Sequence, residues 1–573
     1  MLVAEFIADF LHRQGVTCVY EVIGGMITRL VDAIYQQGKI RLVSVHHEQA
    51  AAFAAEAMAR ITGVPGVAMA TSGPGAINLL TGIGSCYFDS SPAIFITGQV
   101  NLKEQKGTCA VRQLGFQETD IVSMAGSITK AAWRVQSAEE VPGLLKNAFT
   151  LAMSGRPGPV LIDIPMDLQR AEISTEAPCR LTFSTADNLD QQVIEELLTE
   201  LNIARRPLIL VGGVIRSARA TELFRNFVEK IKAPVVNSLM AVDVLPYTHP
   251  LRVGMIGTYG NRWANLAIGD SDFLLVVGSR LDIRQTGSDT KAFKGKRTIY
   301  HVDCEPGEIN NRVKGCRPIL ADLCSFLTSA IQLSSVHVFP DRANWLSEIA
   351  ELKSTWPDTV ELRALSGINP NEFMHQLAVT SRLSAAFVVD VGQHQMWAAQ
   401  SLELDPGQRF LTSGGMGAMG FALPAAIGTA LACPERPLVM IAGDGGFQLN
   451  IQELQTVVAN QLPIKMVIIN NQCYGMVRQF QQSYFDERYQ STYWGYSAPD
   501  FAQIARAYGI ASYTVEDKSD VQHALEKMWH DPPTPFLLQV IIDTFANVYP
   551  KIAFGRPMTE MEPFIQPVEM EGT

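Results

Sequence analysis

Short apolar segments alternate with helix-length amphipathic segments along most of the chain. The short segments have the length and β-branched content of buried strands. Those strand segments are VTCVYEV, RLVSV, GVAMAT, PAIFIT, PVLIDIP, RPLILVGG, APVVNS, FLLVVGS, TIYHVD, AAFVVDVG, PLVMIAG, IKMVIIN and PFLLQVII. Alternation of strands and helices predicts parallel sheets covered by helices. We therefore predict an α/β protein made of doubly wound parallel sheets.

Three such units follow one another along the 573 residues, which is long enough for about three or four domains. We predict domains at residues 1–178, 190–340 and 365–573. The polar stretch STEAPCRLTFSTADNLDQQ has few core residues and is predicted to link the first two. The first and third units resemble each other in kind, because both have glycine-rich strand ends.

Composition and charge exclude several classes of function. The formal net charge of -11 disfavours nucleic acid or an anionic membrane surface as the main partner. The nine cysteines include no CxxC pair, which indicates reduced thiols rather than a disulfide frame or a zinc site. No segment has the features of a signal peptide or the length of a membrane span. We expect a cytoplasmic protein without membrane contacts.

Polar residues follow two consecutive predicted strands of the third unit. Asp444 follows PLVMIAG and Asn471 follows IKMVIIN, and between them LNIQELQTVVAN has helical spacing. That spacing places four apolar residues on one helical face: Leu449, Leu454, Val457 and Val458. Because neighbouring parallel strands end at the same sheet edge, Asp444 and Asn471 are predicted to converge.

A carboxylate, an amide oxygen and backbone carbonyls suit Mg²⁺, which usually also binds a diphosphate. Three glycines beside the acid would let the backbone approach that diphosphate: Gly443, Gly445 and Gly446. A plain strand-to-helix turn is the alternative for GDGG alone, and the NN pair after the next strand argues against it. GDG followed by NN resembles the thiamine-diphosphate signature. The resemblance implies that the metal ligands are Asp444, Asn471 and the backbone oxygen of Cys473.

A second acid, Glu48, fits the same resemblance. It stands beside His47, where a predicted strand meets an alanine-rich helix. Taken alone, it would more often be an acid favoured by the helix dipole. Thiamine chemistry, however, needs a carboxylate that bonds the aminopyrimidine, so that its imino form removes the C2 proton. Thiamine enzymes place their activating glutamate in this context, so the resemblance assigns that role to Glu48.

Several longer stretches resemble the catalytic subunit of the acetolactate synthase (acetohydroxyacid synthase) family over essentially the whole chain. These stretches are TSGPGAINLLTGI, FQETDIV, SGRPGPVLIDIP, DVGQHQMWAAQ and GGMGAMGFALPAAIG. DVGQHQMW is quite specific, whereas RPGPV and GDG are shared with oxidases and decarboxylases of the wider superfamily.

The family resemblance implies contacts to thiamine diphosphate. Four residues would surround the aminopyrimidine: Val391, Gly417, Met419 and Met476. Gly392, Gln393 and His394 would lie along the diphosphate. Met419 would impose a bent cofactor shape, and a core methionine is the alternative for it.

The middle unit resembles the FAD domain of that family. Glycine-bearing strand ends allow a pyrophosphate and a ribose to approach the backbone. The resemblance implies flavin contacts at Arg156, Gly212, Gly213, Gly257, Gly260, Gly278, Arg280, Asp282, Asp303 and Asp322. The flavin does no net redox chemistry in this family. A structural domain without a ligand is the alternative.

Departures from the family pattern belong to the expected substrate channel. VIGGM replaces a YPGGA-like loop, and the loop before FQE is longer and lacks a Pro-Arg run. Ile283 replaces an acid, and Phe480 stands where biosynthetic members carry tryptophan. Gln117 is expected to face the reacting centre. The substrate candidates are Phe116, Lys130, Arg284 and Phe480, although Lys130 or Arg284 could instead be a surface or flavin-side charge.

We expect a thiamine-diphosphate-dependent carboligase that decarboxylates pyruvate and transfers the two-carbon unit to a 2-keto acid. Transfer to a bulkier ketone, such as a nucleotide-linked keto sugar, and a flavin-dependent pyruvate oxidase are the enzymatic alternatives. A degenerate scaffold is disfavoured because Glu48, Asp444 and Asn471 are all present. The resemblance implies a homodimer or homotetramer, with each cofactor between two chains, and allows a regulatory subunit.

Overall fold

The computed structural model describes residues 1–174, 179–181 and 189–571. Most of the predicted linker, the domain boundary at residue 178 and the chain end at residue 573 lie outside these residues. The described residues contain three six-stranded sheets, and every strand pair in them is parallel. The predicted α/β fold of doubly wound parallel sheets is therefore confirmed. No helix of the described part of the chain is long and apolar enough to cross a bilayer.

The first sheet belongs to the N-terminal part of the chain. Its strands are β1 (Cys18–Val22), β2 (Arg41–Ser44), β3 (Gly66–Ala70), β4 (Ala93–Gln99), β5 (Ala131–Arg134) and β6 (Pro159–Pro165). Its helices are α1 (Val3–Arg13), α2 (Thr28–Gln37), α3 (Glu48–Thr62), α4 (Pro74–Asn78), α5 (Leu80–Phe88), α6 (Ile121–Ala125), α7 (Val141–Met153) and α8 (Met166–Gln169). The strand order is β2-β1-β3-β4-β6-β5. Every residue of β3, β4 and β6 is buried, as expected for a sheet covered on both faces.

The second sheet forms the middle of the molecule. Its strands are β7 (Pro207–Val211), β8 (Val235–Asn237), β9 (Arg252–Met255), β10 (Phe273–Val277), β11 (Thr298–Asp303) and β12 (Arg317–Leu320). Its helices are α9 (Gln191–Ile203), α10 (Val214–Ser217), α11 (Thr221–Ile231), α12 (Arg262–Asp270), α13 (Ile283–Thr286), α14 (Thr290–Lys294), α15 (Leu323–Leu333) and α16 (Ala343–Thr355). The order β12-β11-β10-β7-β8-β9 is that of the Rossmann fold. From β7 the chain adds β8 and β9 on one side, and then returns to add β10, β11 and β12 on the other side. Rossmann sheets bind dinucleotides at this switch point, between β7 and β10.

The third sheet repeats the topology of the first. Its strands are β13 (Ala386–Val389), β14 (Arg409–Thr412), β15 (Leu438–Gly443), β16 (Ile464–Asn470), β17 (Ala511–Val515) and β18 (Phe536–Ile541). Its helices are α17 (Pro370–Thr380), α18 (Gln393–Ser401), α19 (Ala422–Ala432), α20 (Asp444–Phe447), α21 (Leu454–Ala459), α22 (Gly475–Tyr484), α23 (Phe501–Ala507) and α24 (Val521–Trp529). The order β14-β13-β15-β16-β18-β17 matches the first sheet strand for strand. A short hairpin, β19 (Lys551–Ile552) with β20 (Met561–Glu562), follows.

The first and third sheets share one hydrophobic core, in which α3 packs along α19. Each of these helices follows the second strand of its own sheet, so the contact joins equivalent elements. Both are rich in small residues, and a side chain on Gly428 would collide with the Ala54 carbonyl. This close approach of backbones fixes the start of α3, and therefore Glu48, against the third domain.

The helix predicted from LNIQELQTVVAN is interrupted. Asn450 has non-helical backbone angles, and α21 begins only at Leu454. The placement of Leu449 on the buried face is therefore wrong, because its side chain is 52% exposed. The Asn450 side chain explains the break, since it donates to the Gly420 carbonyl at 2.8 Å and to Gln49 Oε1 at 3.1 Å.

His375 on α17 joins the end of α18 to the segment that leads into the third domain. Its Nδ1 lies 2.9 Å from Glu403 Oε1, and its Nε2 lies 3.0 Å from Asp358 Oδ2. Both ring nitrogens can donate only when the imidazole carries its second proton. Burial opposes that proton, but the hydrogen bonds and charges of the two carboxylates outweigh it and raise the pKa of His375.

We predict that His375→Gln destabilises the protein more at about pH 6 than at about pH 9. The folded-state pKa of His375 lies above its unfolded value, so its contribution is complete below the unfolded pKa and is lost as pH rises through the folded pKa. Each hydrogen bond to a charged group is worth about 1.5–3 kcal/mol, so the loss at low pH should be at least of this size. Thermal unfolding at both pH values measures the difference. The exposed His523, changed to Gln, is the control, and an equal loss at both pH values would contradict the prediction.

Candidate active site

Asp444 and Asn471 lie together at the carboxyl edge of the third sheet, as the sequence predicts. Asp444 directly follows β15, Asn471 directly follows β16, and the two strands are paired along their length. The Asn471 side-chain oxygen lies 3.2 Å from Asp444 Oδ1 and 2.9 Å from the carbonyl oxygen of Cys473. Its Nδ2 donates to Gln393 Oε1 at 3.1 Å. Three oxygens, one from each predicted metal ligand, therefore converge.

The spacing of these oxygens fits a magnesium site. Adjacent ligands of an octahedral Mg²⁺, with bonds of about 2.0–2.1 Å, lie about 2.9 Å apart. If the Asn471 amide were turned over, its nitrogen would donate to both neighbouring oxygens instead. The Asn471 amide can thus either donate to the two neighbouring oxygens or present its own oxygen to a cation between them. The described residues contain no cluster of three His, Cys, Asp or Glu side chains, so a cation held here would also need amide and carbonyl oxygens.

Asp444 is almost fully buried, and its carboxylate has no cationic side chain as a partner among the described residues. Burial raises its pKa to about 7, although Tyr496 and nearby backbone N–H groups donate to it. The Tyr496 hydroxyl donates to Asp444 Oδ2 at 3.0 Å. A buried carboxylate without a counter-charge is unfavourable, and a bound divalent cation would supply that charge.

His394, in the first turn of α18, is the second buried polar group, after Asp444, that indicates a bound ligand. Its ring is buried, and Nε2 has no hydrogen-bond partner in the described part of the chain. Burial lowers the pKa of His394 to about 3, although the backbone of Asp390 bonds the ring. The ring lies against Gly443, where an added Cβ would stand 2.9 Å from Nδ1. Buried polar atoms are almost always satisfied, so this nitrogen indicates a ligand beside the glycines.

The remaining predicted diphosphate and pyrimidine contacts surround the same place. Gly392 also contacts the His394 ring, and Gln393 donates to the Ala546 carbonyl at 3.0 Å. Gly417 has a φ of +67°, in the left-handed region. A Cβ added at this residue would lie 4.0 Å from Val391 Cγ1. Two further glycines leave room for neighbours, namely Gly445 for the Tyr474 ring and Gly446 for the Asp390 carboxylate. Met419 and Met476 are both half-buried.

Asp390 organises this region, and the sequence analysis did not single it out. It directly follows β13 and accepts hydrogen bonds from the backbone N–H groups of Val391, Gly420 and Ala422 at 2.7–3.0 Å. Burial raises its pKa to about 6, although all three bonds oppose the rise. Asp390 thereby ties the loop that carries Met419 to Val391. Its position at a strand end of the third sheet was the available signal.

Glu48 is the first residue of α3 and is only 8% exposed. Asn78 Nδ2 donates to its Oε2 at 2.9 Å, while Oε1 faces the turn at Gly75. One carboxylate oxygen is thus held and the other is directed at the glycine turn. Asn78 was missed by the sequence analysis because a lone asparagine on a short helix carries no pattern.

Gln117 lies beside this turn. Its φ of +64° is in the left-handed region, and its Cβ would lie 3.0 Å from one added to Gly73. Phe116 is 79% exposed. Phe480 lies on α22, with its ring centroid 4.9 Å from that of Tyr484 and 5.8 Å from that of Phe485.

A cavity of about 480 Å³ lies between all three domains, at the switch point where the neighbouring strands β7 and β10 end. Five of the ten predicted flavin contacts line it: Arg156, Gly213, Gly278, Arg280 and Asp282. Gly212 does not line it but packs against the Gly278 carbonyl, so that the two strand ends approach closely.

The other four predicted flavin residues also lie outside the lining, and three of them form hydrogen bonds within the protein. Asp322 caps α15 and Asp303 accepts from the Glu305 N–H at 2.9 Å. Gly260 donates to the Gly257 carbonyl at 2.8 Å within a turn. The fourth, Gly257, packs against the Arg284 carbonyl.

The two predicted substrate cations lie towards the cavity between the domains. Lys130 Nζ donates to the carbonyls of Ser154 at 2.6 Å and Arg156 at 2.8 Å, which holds the loop that carries Arg156. Arg284 is exposed and lines the cavity between the domains. The structure thus does not bring Lys130 to the oxygens around Asp444.

Comparison with known proteins finds matches in three segments of the chain. Thiamine pyrophosphate enzyme family models match in three parts: the N-terminal TPP binding domain at residues 1–124, the central domain at 194–329 and the C-terminal TPP binding domain at 390–540. The acetolactate synthase isozyme 1 large subunit of Escherichia coli is 39% identical over 562 residues, which is 97% of each chain. The chain belongs to the acetolactate synthase family of thiamine pyrophosphate enzymes.

Two further relatives carry similar names. The acetolactate synthase large subunit of Lactococcus lactis is 35% identical over 97% of this chain and 95% of its own length. The chloroplastic acetolactate synthase 2 of Nicotiana tabacum is 37% identical over 96% of this chain and 84% of its own. The similarity of this protein to acetolactate synthases thus extends through all three domains.

We predict that Gly443→Ala weakens binding of thiamine diphosphate. The new Cβ would stand within 3.0 Å of the His394 ring, which is tighter than ordinary contacts allow. Crowding of this kind costs about 1–3 kcal/mol, or roughly 5- to 150-fold in affinity. Titration of the cofactor-free protein by tryptophan fluorescence measures it. Gly143→Ala, on an exposed helix position with open space around it, is the control. Equal affinities for both variants would contradict the role of Gly443.

Proposed function

We propose that this protein decarboxylates pyruvate and transfers the two-carbon unit to a 2-keto acid, with thiamine diphosphate and Mg²⁺ as cofactors. The convergence of the Asp444, Asn471 and Cys473 oxygens beside the unpartnered Nε2 of His394 carries the proposal. The names of the relatives, all acetolactate synthases, favour a 2-keto acid acceptor over a bulkier ketone and over an oxidase. When bound, thiamine diphosphate supplies the ring that stabilises a two-carbon carbanion.

The chain's own residues act at two ends of this site. Asp444, Asn471 and the Cys473 carbonyl would hold the metal, and His394 would meet the diphosphate from the glycine side. Glu48 would hold a proton at the opposite, pyrimidine end, because its Oε2 is fixed by Asn78 while Oε1 is left for a ligand. Gln117 lies beside the same turn and would face the substrate.

The loop around Met419 would shape the pyrimidine pocket. Three backbone N–H groups hold it to Asp390, so that Met419, Gly417 and Val391 share one position in the site. Phe480 remains the candidate for acceptor size. Its position on α22, the helix that begins two residues after Cys473, supports this assignment.

We also propose that the cavity at the second sheet binds FAD. The Rossmann strand order and the arginine-rich lining, including Arg156, Arg280 and Arg284, support a dinucleotide with a diphosphate. The flavin would have a structural role in the acetyl transfer, which needs no net oxidation. All nine cysteines are free thiols, which supports a cytoplasmic location.

The assembly that we propose is a homodimer or a homotetramer of such dimers, with each cofactor between the first domain of one chain and the third domain of its partner. Several large apolar side chains beside the two half-sites are exposed in the single chain: Ile77, Leu114, Phe116, Met124, Met416 and Leu449. Each of these side chains is at least 40% exposed in the single chain, and a second copy that covered them would remove this apolar surface from water. The exposed fractions therefore support a second copy of the chain as the covering partner, while a regulatory subunit would bind elsewhere.

Product analysis tests the reaction. With thiamine diphosphate and Mg²⁺, pyruvate alone should give acetolactate and one carbon dioxide for each two molecules of pyruvate consumed. Removal of the metal by a chelator should abolish turnover, and added Mg²⁺ should restore it. Uptake of oxygen in step with pyruvate consumption would instead indicate an oxidase, and would refute the proposed transfer.

We predict that Glu48→Gln and Asp444→Ala are each inactive for different reasons. The amide should retain cofactor affinity but lose turnover by at least about 100-fold, because it cannot take part in proton transfer. Asp444→Ala should lose Mg²⁺ and, with it, the diphosphate. Exchange of the C2 proton and cofactor titration separate the two defects. Normal proton exchange in Glu48→Gln would refute its role.

We predict that co-expression of these two inactive variants restores activity. A mixed dimer has one site with intact Glu48 and intact Asp444, if each site uses both chains. Random mixing makes half of the dimers mixed, so about a quarter of wild-type activity is expected. Glu48→Gln co-expressed with itself is the control. No recovery in purified mixed dimers would place both residues in the same-chain site and overturn the shared arrangement.

A further inference from the structure

Tyr496 contacts the one oxygen of Asp444 that the proposed metal site does not use. Its hydroxyl donates to Oδ2 at 3.0 Å, while Oδ1 lies 3.2 Å from the side-chain amide of Asn471, which in turn lies 2.9 Å from the Cys473 carbonyl. The two carboxylate oxygens therefore have separate neighbours. No other side-chain hydroxyl of the described residues is recorded in contact with this carboxylate.

The segment that carries Tyr496, residues 489–498, is held at both ends against the site. The Tyr474 N–H donates to the Thr492 carbonyl at 3.0 Å, and the Ala498 N–H donates to Gln472 Oε1 at 3.4 Å. Both anchors lie within three residues of Asn471 along the chain. Thr492 is buried and Tyr496 is half-buried, whereas Tyr493, next to Thr492, is exposed. The segment thus turns the Tyr496 side chain inward.

Packing fixes the ring as well as the backbone. The Tyr496 and Tyr474 ring centroids are 4.7 Å apart in an edge-to-face arrangement. Tyr474 in turn lies against Gly445, directly after Asp444, where a Cβ would collide with its ring. The two backbone hydrogen bonds of the segment and the packing on the Tyr474 ring therefore fix the position of the Tyr496 hydroxyl, together with its own hydrogen bond to Asp444.

We propose that Tyr496 is a positioning residue for the metal ion. Its hydroxyl holds Asp444 in the rotamer that presents Oδ1 to the cation, and its ring keeps water from the second oxygen. This inference rests on the proposed function, because it concerns the same magnesium site. Hydrogen-bond partners of metal ligands orient those ligands, and their loss typically costs about 10- to 100-fold in metal affinity.

Tyr496→Phe tests the proposal, because it removes only the hydroxyl and keeps the ring. The matched control is Tyr493→Phe, whose exposed tyrosine lies in the same segment and packs on Phe545 at a ring distance of 5.5 Å. Full-length wild type and both variants are freed of cofactor and titrated with Mg²⁺ at saturating thiamine diphosphate, with intrinsic fluorescence as the readout. The unfolding temperature of each metal-free protein is measured in parallel.

Tyr496→Phe should bind Mg²⁺ about 10- to 100-fold more weakly than wild type, with a similar metal-free unfolding temperature. Tyr493→Phe should match wild type. Excess Mg²⁺ should return the turnover number of Tyr496→Phe towards wild type, because only the occupancy of the site is impaired. Unchanged or tighter Mg²⁺ binding by Tyr496→Phe would overturn the inference. If the wild type itself bound neither Mg²⁺ nor thiamine diphosphate, the proposed function would fail instead.

Discussion

The burial of one carboxylate, Asp444, at the ends of two parallel strands is the constraint on which the rest of the site depends. Burial raises its pKa to about 7, which means that the charged form lacks the stabilisation that water would supply. Asn471 and the Cys473 carbonyl add further oxygen atoms at the same point rather than a positive charge. A cation bound at this point would supply the missing charge, as the proposed cation and diphosphate site requires.

Small residues make room for that arrangement. Gly443 and Gly392 admit the His394 ring, Gly445 admits Tyr474, and Gly446 admits the Asp390 carboxylate. The glycines of AGDGGF are thus explained by close contacts with side chains from β13, α18 and the start of α22. Small residues also allow α3 and α19 to pack closely. This contact joins the first and third domains and fixes the position of Glu48.

Repetition of one topology explains how two different half-sites arise in one chain. The first and third sheets have the same strand order, and both proposed catalytic acids begin a helix at the carboxyl side of a strand. In the first domain that helix packs into the core and leaves Glu48 beside a glycine turn. In the third domain the acid stays at the sheet edge among oxygens. The middle sheet has a different order, and its switch point opens the cavity between the domains.

The sequence by itself determined the fold class, the central strands and the convergence of Asp444 with Asn471, because buried parallel strands leave a strong apolar signal and parallel topology aligns their ends. Apart from the hairpin strands β19 and β20, the sequence did not predict β5, β9, β12, β14 and β17, which are all edge strands. Partial exposure weakens the apolar signal of β5, β12 and β17, whereas three of the four residues in each of β9 and β14 are buried. Only the tertiary structure decided the exposure of Leu449, the placement of Lys130 beside the Arg156 loop and the contacts of Asn78, Asp390 and Tyr496. Each of these depends on contacts between residues far apart in the chain, which local periodicity does not encode.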